Sequence, residues 1–232
     1  LTTLHSPTFD TGRLFVSYSS PAMGYSHRNT PSTPSGVVCL NAENGRVKWR
    51  FALNKELPEF GSAQVGSSPL VHRGRVFVVV KVMTARVFES CHLVAIDART
   101  GKLAWHQQLT ESSTGSGYSY YLTAPLSLPA AEGNTIYLTT NLGTVAAVTA
   151  DTGTVRWLRL YERNVAGPDP NNRFNRYQPT STAAPWEIAP TIVWNGRVIA
   201  CPHDGKNLLV LDGQTGRVLQ RIDRQKKLYD AK

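Results

Sequence analysis

The stretch Ala95-Ile96-Asp97-Ala98-Arg99-Thr100-Gly101-Lys102-Leu103-Ala104-Trp105 decides how this chain folds, because versions of it occur four times. The other copies run from Cys39 to Trp49, Ala147 to Trp157 and Val210 to Gln220. Each follows an apolar run with the character of a buried strand, enters a polar turn, and leaves by a second strand. Gly45, Gly101, Gly153 and Gly216 stand where a tight hairpin needs positive φ, and Thr100, Thr152 and Thr215 place a hydroxyl beside three of those turns. Trp49, Trp105 and Trp157 follow four residues after the glycine, on the same strand face as Val47, Leu103 and Val155 by simple alternation. A large ring at a constant place in successive units is expected to pack against the next unit. With Asp97 and Asp212 in the turns, these glycines, threonines and tryptophans form the expected docking set between units. Gln220 in the fourth copy marks an altered or terminal interface.

A second recurring element precedes each hairpin. The segments from Ser6-Pro7 to Val16, Ser68-Pro69 to Val78, Ala124-Pro125 to Leu138 and Ala189-Pro190 to Ala200 each read as strand, glycine-containing turn, strand. Every unit therefore has four antiparallel strands. The repeat glycines are 56, 52 and 63 residues apart, more than the roughly 40–50 residues of a minimal four-stranded blade, so the excess is loop. The units fall at about 1–53, 66–109, 123–160 and 188–223, with 224–232 as tail or linker.

Composition narrows function little. The 232 residues are 41% hydrophobic and 18% charged, with no apolar run of membrane-spanning length and no visible signal peptide. Cys39, Cys91 and Cys201 are unevenly spaced, lack metal-ligand spacing, and read as buried thiols. The net charge of +9 is spread over the last strands of the units, through Arg46, Lys48, Arg50, Lys102, His106, Arg156, Arg217 and Arg221, which reads as rim solubility and edge protection. Basic and aromatic residues are not interleaved as in a nucleic-acid module, and no nucleic-acid partner is expected.

The pattern Ala-x-Asp-x-x-Thr-Gly-x-x-x-Trp resembles the tryptophan-docking motif of the pyrroloquinoline-quinone-type (PQQ-like) β-propeller repeat family. Residues 95–105 match all five marked positions and residues 147–157 four of them, with Thr149 in place of the acid. The resemblance implies an all-β fold: a β-propeller of four-stranded antiparallel blades, about four of them present, as a segment of a larger propeller. The family contains quinone-dependent dehydrogenases, the propeller lipoprotein of the outer-membrane-protein assembly machine, and other envelope proteins. It therefore also implies a bacterial periplasm or cell envelope.

Function is expected on the side that carries the long connections, since binding residues sit on loops held by a rigid scaffold. Strand alternation sends the links between second and third strands and between units to one end, where 17–35, 81–90, 54–67, 110–123 and 161–188 all lie. Their aromatic and basic residues are the candidate binding set: Tyr25, His27 and Arg28; Tyr118, Tyr120 and Tyr121; Arg173, Phe174, Arg176, Tyr177 and Trp186. The expectation is a non-catalytic scaffold that engages a protein, peptide or glycan at this end, without catalytic or metal-ligating residues or a cofactor. One alternative is part of a PQQ- and calcium-dependent alcohol or sugar dehydrogenase; the loop acids Glu59, Glu111, Asp169, Glu187 and Asp204 match none of its motifs, and the adjacent cysteines of its alcohol-oxidising members are missing. Another is a docking platform in an outer-membrane protein assembly complex.

Overall fold

The structure, a computed structural model, describes residues 5–19, 35–60, 63–85, 88–113, 126–163 and 188–223. Four antiparallel sheets follow one another along the chain. Sheet 1 is β1 (Thr8–Asp10), β2 (Arg13–Tyr18), β3 (Gly36–Asn41) and β4 (Val47–Ala52). A short helix α1 (Leu53–Glu56) and a 3-10 turn (Pro58–Phe60) lead to sheet 2: β5 (Gln64–Val65), β6 (Leu70–His72), β7 (Arg75–Ala85), β8 (Phe88–Asp97) and β9 (Leu103–Ser113). Sheet 3 is β10 (Ala130–Glu132), β11 (Thr135–Thr139), β12 (Thr144–Thr149) and β13 (Val155–Leu160), and sheet 4 is β14 (Ile192–Trp194), β15 (Arg197–Ala200), β16 (Asn207–Asp212) and β17 (Val218–Asp223). Strands pair in sequence order within each sheet; in sheet 2 the innermost position is divided, β5 and β6 both lying along the long β7. These are four blades of a β-propeller.

The blades stack face to face through three apolar cores. The first joins Phe15, Val37, Cys39 and Phe51 of sheet 1 to Val76, Val78, Val94 and Ile96 of sheet 2. In the second, Phe77, Val79, Leu93 and Ala95 meet Ile136, Leu138, Ala146 and Val148; in the third, Tyr137, Val145 and Ala147 meet Val198, Ala200, Leu209 and Leu211. Sheets 2 and 3 bury both faces, which is why β8 and β12 read as continuous apolar runs instead of alternating ones.

The hairpin ends add a repeated contact. Trp49 Nε1 donates to the Ala98 carbonyl at 3.2 Å, Trp105 Nε1 to Ala150 at 3.2 Å, and Trp157 Nε1 to Gly213 at 2.9 Å. Each indole lies over the turn glycine of the next sheet so closely that a Cβ on Gly101, Gly153 or Gly216 would fall 2.6–2.7 Å from ring carbons. These glycines therefore answer two demands, positive φ and an absent side chain. An aromatic ring of its own sheet backs each indole: Phe15 for Trp49 and Phe77 for Trp105, both at 5.8 Å between centroids, and Tyr137 for Trp157 at 6.1 Å. Asp97 and Asp212 close their turns by accepting from the backbone N–H of the third residue on and from that Thr hydroxyl, bonds that hold both carboxyls below the usual range.

Three expectations are corrected. Residues 81–85 and 88–90 are not loop: they lie in β7 and β8, which pair Lys81 with Cys91 and Val82 with Ser90, because the face they form is buried. The Trp residues do not share a face with the apolar residue two positions earlier. A β-bulge opposite Ala95 and Ile96 makes Leu103 pack into the first core and Trp105 into the second, and the same shift opposite Ala147 and Val148 separates Val155 from Trp157. The proline of the third unit that corresponds to Pro69 is Pro129 and not Pro125, since Ala130 pairs with Tyr137 as Leu70 pairs with Phe77.

Candidate functional site

The eleven loop residues expected to bind, Tyr25, His27, Arg28, Tyr118, Tyr120, Tyr121, Arg173, Phe174, Arg176, Tyr177 and Trp186, all lie outside the described residues. What the structure gives is the platform from which their loops leave. Two polar clusters and a groove occupy it.

The first cluster stands where the chain leaves β13. The Tyr161 backbone N–H donates to the Gly143 carbonyl, and its hydroxyl donates to Asp204 Oδ1 at 2.5 Å. Arg163 Nε donates to the other oxygen of Asp204 at 2.6 Å, and Arg163 Nη1 to Ser112 Oγ at 2.7 Å. One carboxylate on the β15–β16 connection thus ties the start of the third crossover to sheet 4, while Ser112 ties it to sheet 2. Burial and the neighbouring Asp204 carboxylate push the Tyr161 phenol far above its usual range, so it is a permanent hydrogen donor at physiological pH. Lys206 Nζ and Glu162 Oε1 form an exposed pair 2.5 Å apart beside it. The sequence offered Asp204 only as one of the loop acids, with no signal for its partners 41 and 43 residues earlier.

The second cluster is built on the extended ladder of sheet 2. Lys81 Nζ lies 3.2 Å from Glu89 Oε1 with both side chains almost fully buried. Cys91 beside them is sealed from solvent, and burial pushes its thiol up to about 12, which makes it inert as a nucleophile. On the opposite face of β8, Ser90 Oγ and His92 Nε2 are 2.9 Å apart. Phe60 packs on His92 at 4.6 Å between centroids and meets His106 edge-on at 5.2 Å. Burial, with the His106 charge second, lowers His92 to about 4, so its imidazole is neutral at physiological pH. A Ser–His pair invites a nucleophile reading, but Ser90 is buried and His92 Nδ1 has no hydrogen-bond partner to orient it. The pair serves the packing between sheets 1 and 2.

A groove of about 360 Å³ opens beside the first cluster, lined by Leu160, Tyr161, Glu162, Asn207, Leu209, Val218 and Arg221. It runs between β13 and sheet 4, with Leu209 and Val218 at its floor and Glu162 and Arg221 on its rim. Leu160, which lines the groove, is 77% exposed.

A quinone site would need carboxylates gathered on a calcium ion. Among the described residues no three His, Cys, Asp or Glu side chains converge as a metal ion requires, and Asp204 and Glu89 face Arg163 and Lys81. Glu59 lies 3.8 Å from His106, and Glu111 is exposed near Gln108. Asp169 and Glu187 are outside the described residues.

Comparison with known proteins follows the fold. A family model described as "Outer membrane protein assembly factor BamB" matches residues 2–225. Among solved structures, a europium-containing methanol dehydrogenase is similar at a TM-score of 0.56 and 15% identity, over 94% of this chain and 41% of that one. The quinohemoprotein alcohol dehydrogenase ADHIIG from Pseudomonas putida HK5 is similar at 0.56 and 14% identity, over 94% and 34%. The quinohemoprotein alcohol dehydrogenase from Comamonas testosteroni is similar at 0.54 and 14%, over 96% and 35%. At such identities the likeness is one of fold, and this chain spans 41% or less of these structures. No curated protein sequence matches the chain.

Proposed function

The chain belongs to the PQQ-like repeat family described as outer membrane protein assembly factor BamB, and from that premise we propose that it is a non-catalytic propeller scaffold in the bacterial cell envelope that engages a protein partner at its long-loop end. The observation that supports this reading is the division of labour at that end. The charged groups of the described platform are joined to one another, half-buried Asp204 with Arg163 and buried Lys81 with Glu89, which stiffens the platform. What remains accessible is the mixed apolar and charged groove beside β13, a surface suited to a side chain of a partner and not to a reacting small molecule. No helix among the described residues is long and apolar enough to cross a membrane, so a role in the envelope would run through such a partner or an attachment elsewhere. Sequence places Arg173, Phe174, Arg176, Tyr177 and Trp186 on the crossover that begins at this groove, where they would widen the contact.

A photo-crosslinking residue placed at Asn207, in the groove, and separately at Lys102, on the hairpin end, tests the reading in a bacterial envelope extract. The expected result is one discrete adduct from position 207, lost when Leu160 is replaced by Glu, and none from position 102. Equal labelling from both ends would refute a loop-end partner. The fold likeness to alcohol dehydrogenases supports a second reading as part of a quinone enzyme. Titration with pyrroloquinoline quinone and calcium, followed by tryptophan fluorescence and dye-linked alcohol oxidation, separates the two: saturable binding with turnover would replace the scaffold reading.

A further inference from the structure

Equivalent places between successive sheets can be matched through their registers. On the side of sheet 2 that faces sheet 1, Val94 pairs with His106 and Ile96 with Leu103; on the side of sheet 4 that faces sheet 3, Leu209 pairs with Arg221 and Leu211 with Val218. Two residues before Val94 and Leu209, His92 corresponds to Asn207. The facing walls correspond as well: just after β4 the Leu53 N–H bonds to the Ser35 carbonyl, and just after β13 the Tyr161 N–H bonds to the Gly143 carbonyl. The groove bounded by Tyr161, Asn207, Leu209, Val218 and Arg221 is therefore the counterpart, between sheets 3 and 4, of the space over His92 and His106 between sheets 1 and 2.

Between sheets 1 and 2 that space is filled by the chain itself. Phe60 is buried there with its ring on His92 and against the edge of His106, and the neighbouring Glu59 carboxylate lies 3.8 Å from His106 Nε2. Between sheets 2 and 3 the long strand β9 closes it: Thr144, in the register of His92, is buried, and its hydroxyl bonds to that of Thr110 at 3.3 Å. Between sheets 3 and 4 no described residue fills it, and the groove of about 360 Å³ remains. Its floor is apolar, through Leu209 and Val218, and Arg221 is exposed where the first space has His106. The rim carboxylate of Glu162 is held by Lys206, which leaves Arg221 facing the groove as a cation.

We infer that the groove takes an acidic residue followed by an aromatic one from a segment of the partner protein, seated as Glu59 and Phe60 are seated between sheets 1 and 2: the ring on Leu209 and Val218, the carboxylate on Arg221. This deepens the loop-end reading proposed above and rests on it. Exchange of histidine for arginine at this place suits an occupant that arrives from outside. A guanidinium is charged at every physiological pH, holds a carboxylate through two parallel bonds, and lies favourably over an aromatic face. The net charge of +9 adds long-range attraction for an acidic segment.

The chain's own segment supplies the probe. A fluorescein-labelled, end-blocked peptide Leu57-Pro58-Glu59-Phe60-Gly61 is titrated with the purified 232-residue chain by fluorescence anisotropy. Saturable binding is expected, weakened about tenfold by Phe60→Ala in the peptide and about tenfold by Arg221→Glu in the protein, with circular dichroism checking that the variant is folded. A peptide carrying Glu59→Lys is expected to prefer the Arg221→Glu protein over the parent, a reversal that a merely structural Arg221 would not produce. The inference is overturned if the peptide does not bind, or binds with no response to these three changes. It is also overturned if a photo-crosslinker at Asn207 of the purified chain labels the chain itself or a second copy and excess peptide does not compete, because the groove then has another occupant. In envelope extract, a discrete adduct from position 207 that the peptide fails to displace keeps the loop-end partner and overturns this account of what it inserts.

Discussion

The two ends of these sheets are organised by opposite rules. At the hairpin end the same few residues recur, each turn closed by a glycine and three of them covered by the indole of the preceding sheet. At the long-loop end the described contacts differ: sheet 2 extends its central ladder over a buried Lys81–Glu89 pair, whereas sheets 3 and 4 are tied by Tyr161, Arg163 and Asp204. The repeated end fixes how sheets stack. The individual end is therefore free to differ from unit to unit, and that difference is where recognition can reside.

Substitutions that load one end and spare the other sharpen this contrast. The largest effect is expected from Lys81→Met, which leaves the Glu89 carboxylate buried without its ion partner; a loss of about 3–5 kcal/mol in urea unfolding is expected, and pairing it with Glu89→Leu should recover most of that loss. If the single variant is as stable as the parent, the ladder extension is not held by that pair. Trp105→Ala removes the central indole of the hairpin end and should cost about 2–4 kcal/mol by the same measurement, with the groove and its Tyr161–Asp204 bond unaffected. A smaller comparison isolates the socket from the backbone. Gly153→Ala incurs both a left-handed φ and a clash with Trp105, whereas Gly74→Ala, at φ +72° with no described residue within 4 Å of its Cβ position, incurs only the first. The expected losses are about 2–3 and about 1 kcal/mol, and equal losses would mean that the indole does not press on the turn.

The smallest effect concerns pH and again separates the ends. His92 titrates near 4 in the fold against 6.5 when free, so the unfolded chain binds its proton first as the solution is acidified. Stability should fall between about pH 6.5 and 4, by on the order of 2 kcal/mol, and His92→Gln should flatten that slope. Phe60, Ser90, His106 and Glu111 face this imidazole and set its environment. The turn carboxylates Asp97 and Asp212 sit below their ordinary value, so what they contribute is present above about pH 4 and is lost only as pH falls through their lowered values. A slope that survives His92→Gln unchanged between pH 6.5 and 4 would move the acid-sensitive groups elsewhere.

How far the sequence could be read follows the same division. The hairpins were legible because positive φ demands glycine and because an indole four residues later recurs. Their bulges were not, since one extra residue in a strand leaves no mark on composition but reverses which core Leu103 and Trp105 enter. Arg13 and Arg75 also passed unnoticed. They donate to the Ala98 and Ala150 carbonyls that receive the indoles, a convergence of residues 75–85 positions apart. At the loop end, residues 81–90 read as a connection between strands, while the burial of that face made 81–85 and 88–90 strand.

By itself, then, the sequence determined the all-β class, the four units and their hairpin turns, because these depend on local periodicity and on the steric needs of single residues. Only the tertiary structure decided which sheet face each ring enters, that Asp204 is clasped by Tyr161 and Arg163, and that an indole presses on the turns at Gly101, Gly153 and Gly216. Those outcomes depend on what neighbouring sheets bring within contact distance, and such proximity between distant residues is created by the stacking of the fold.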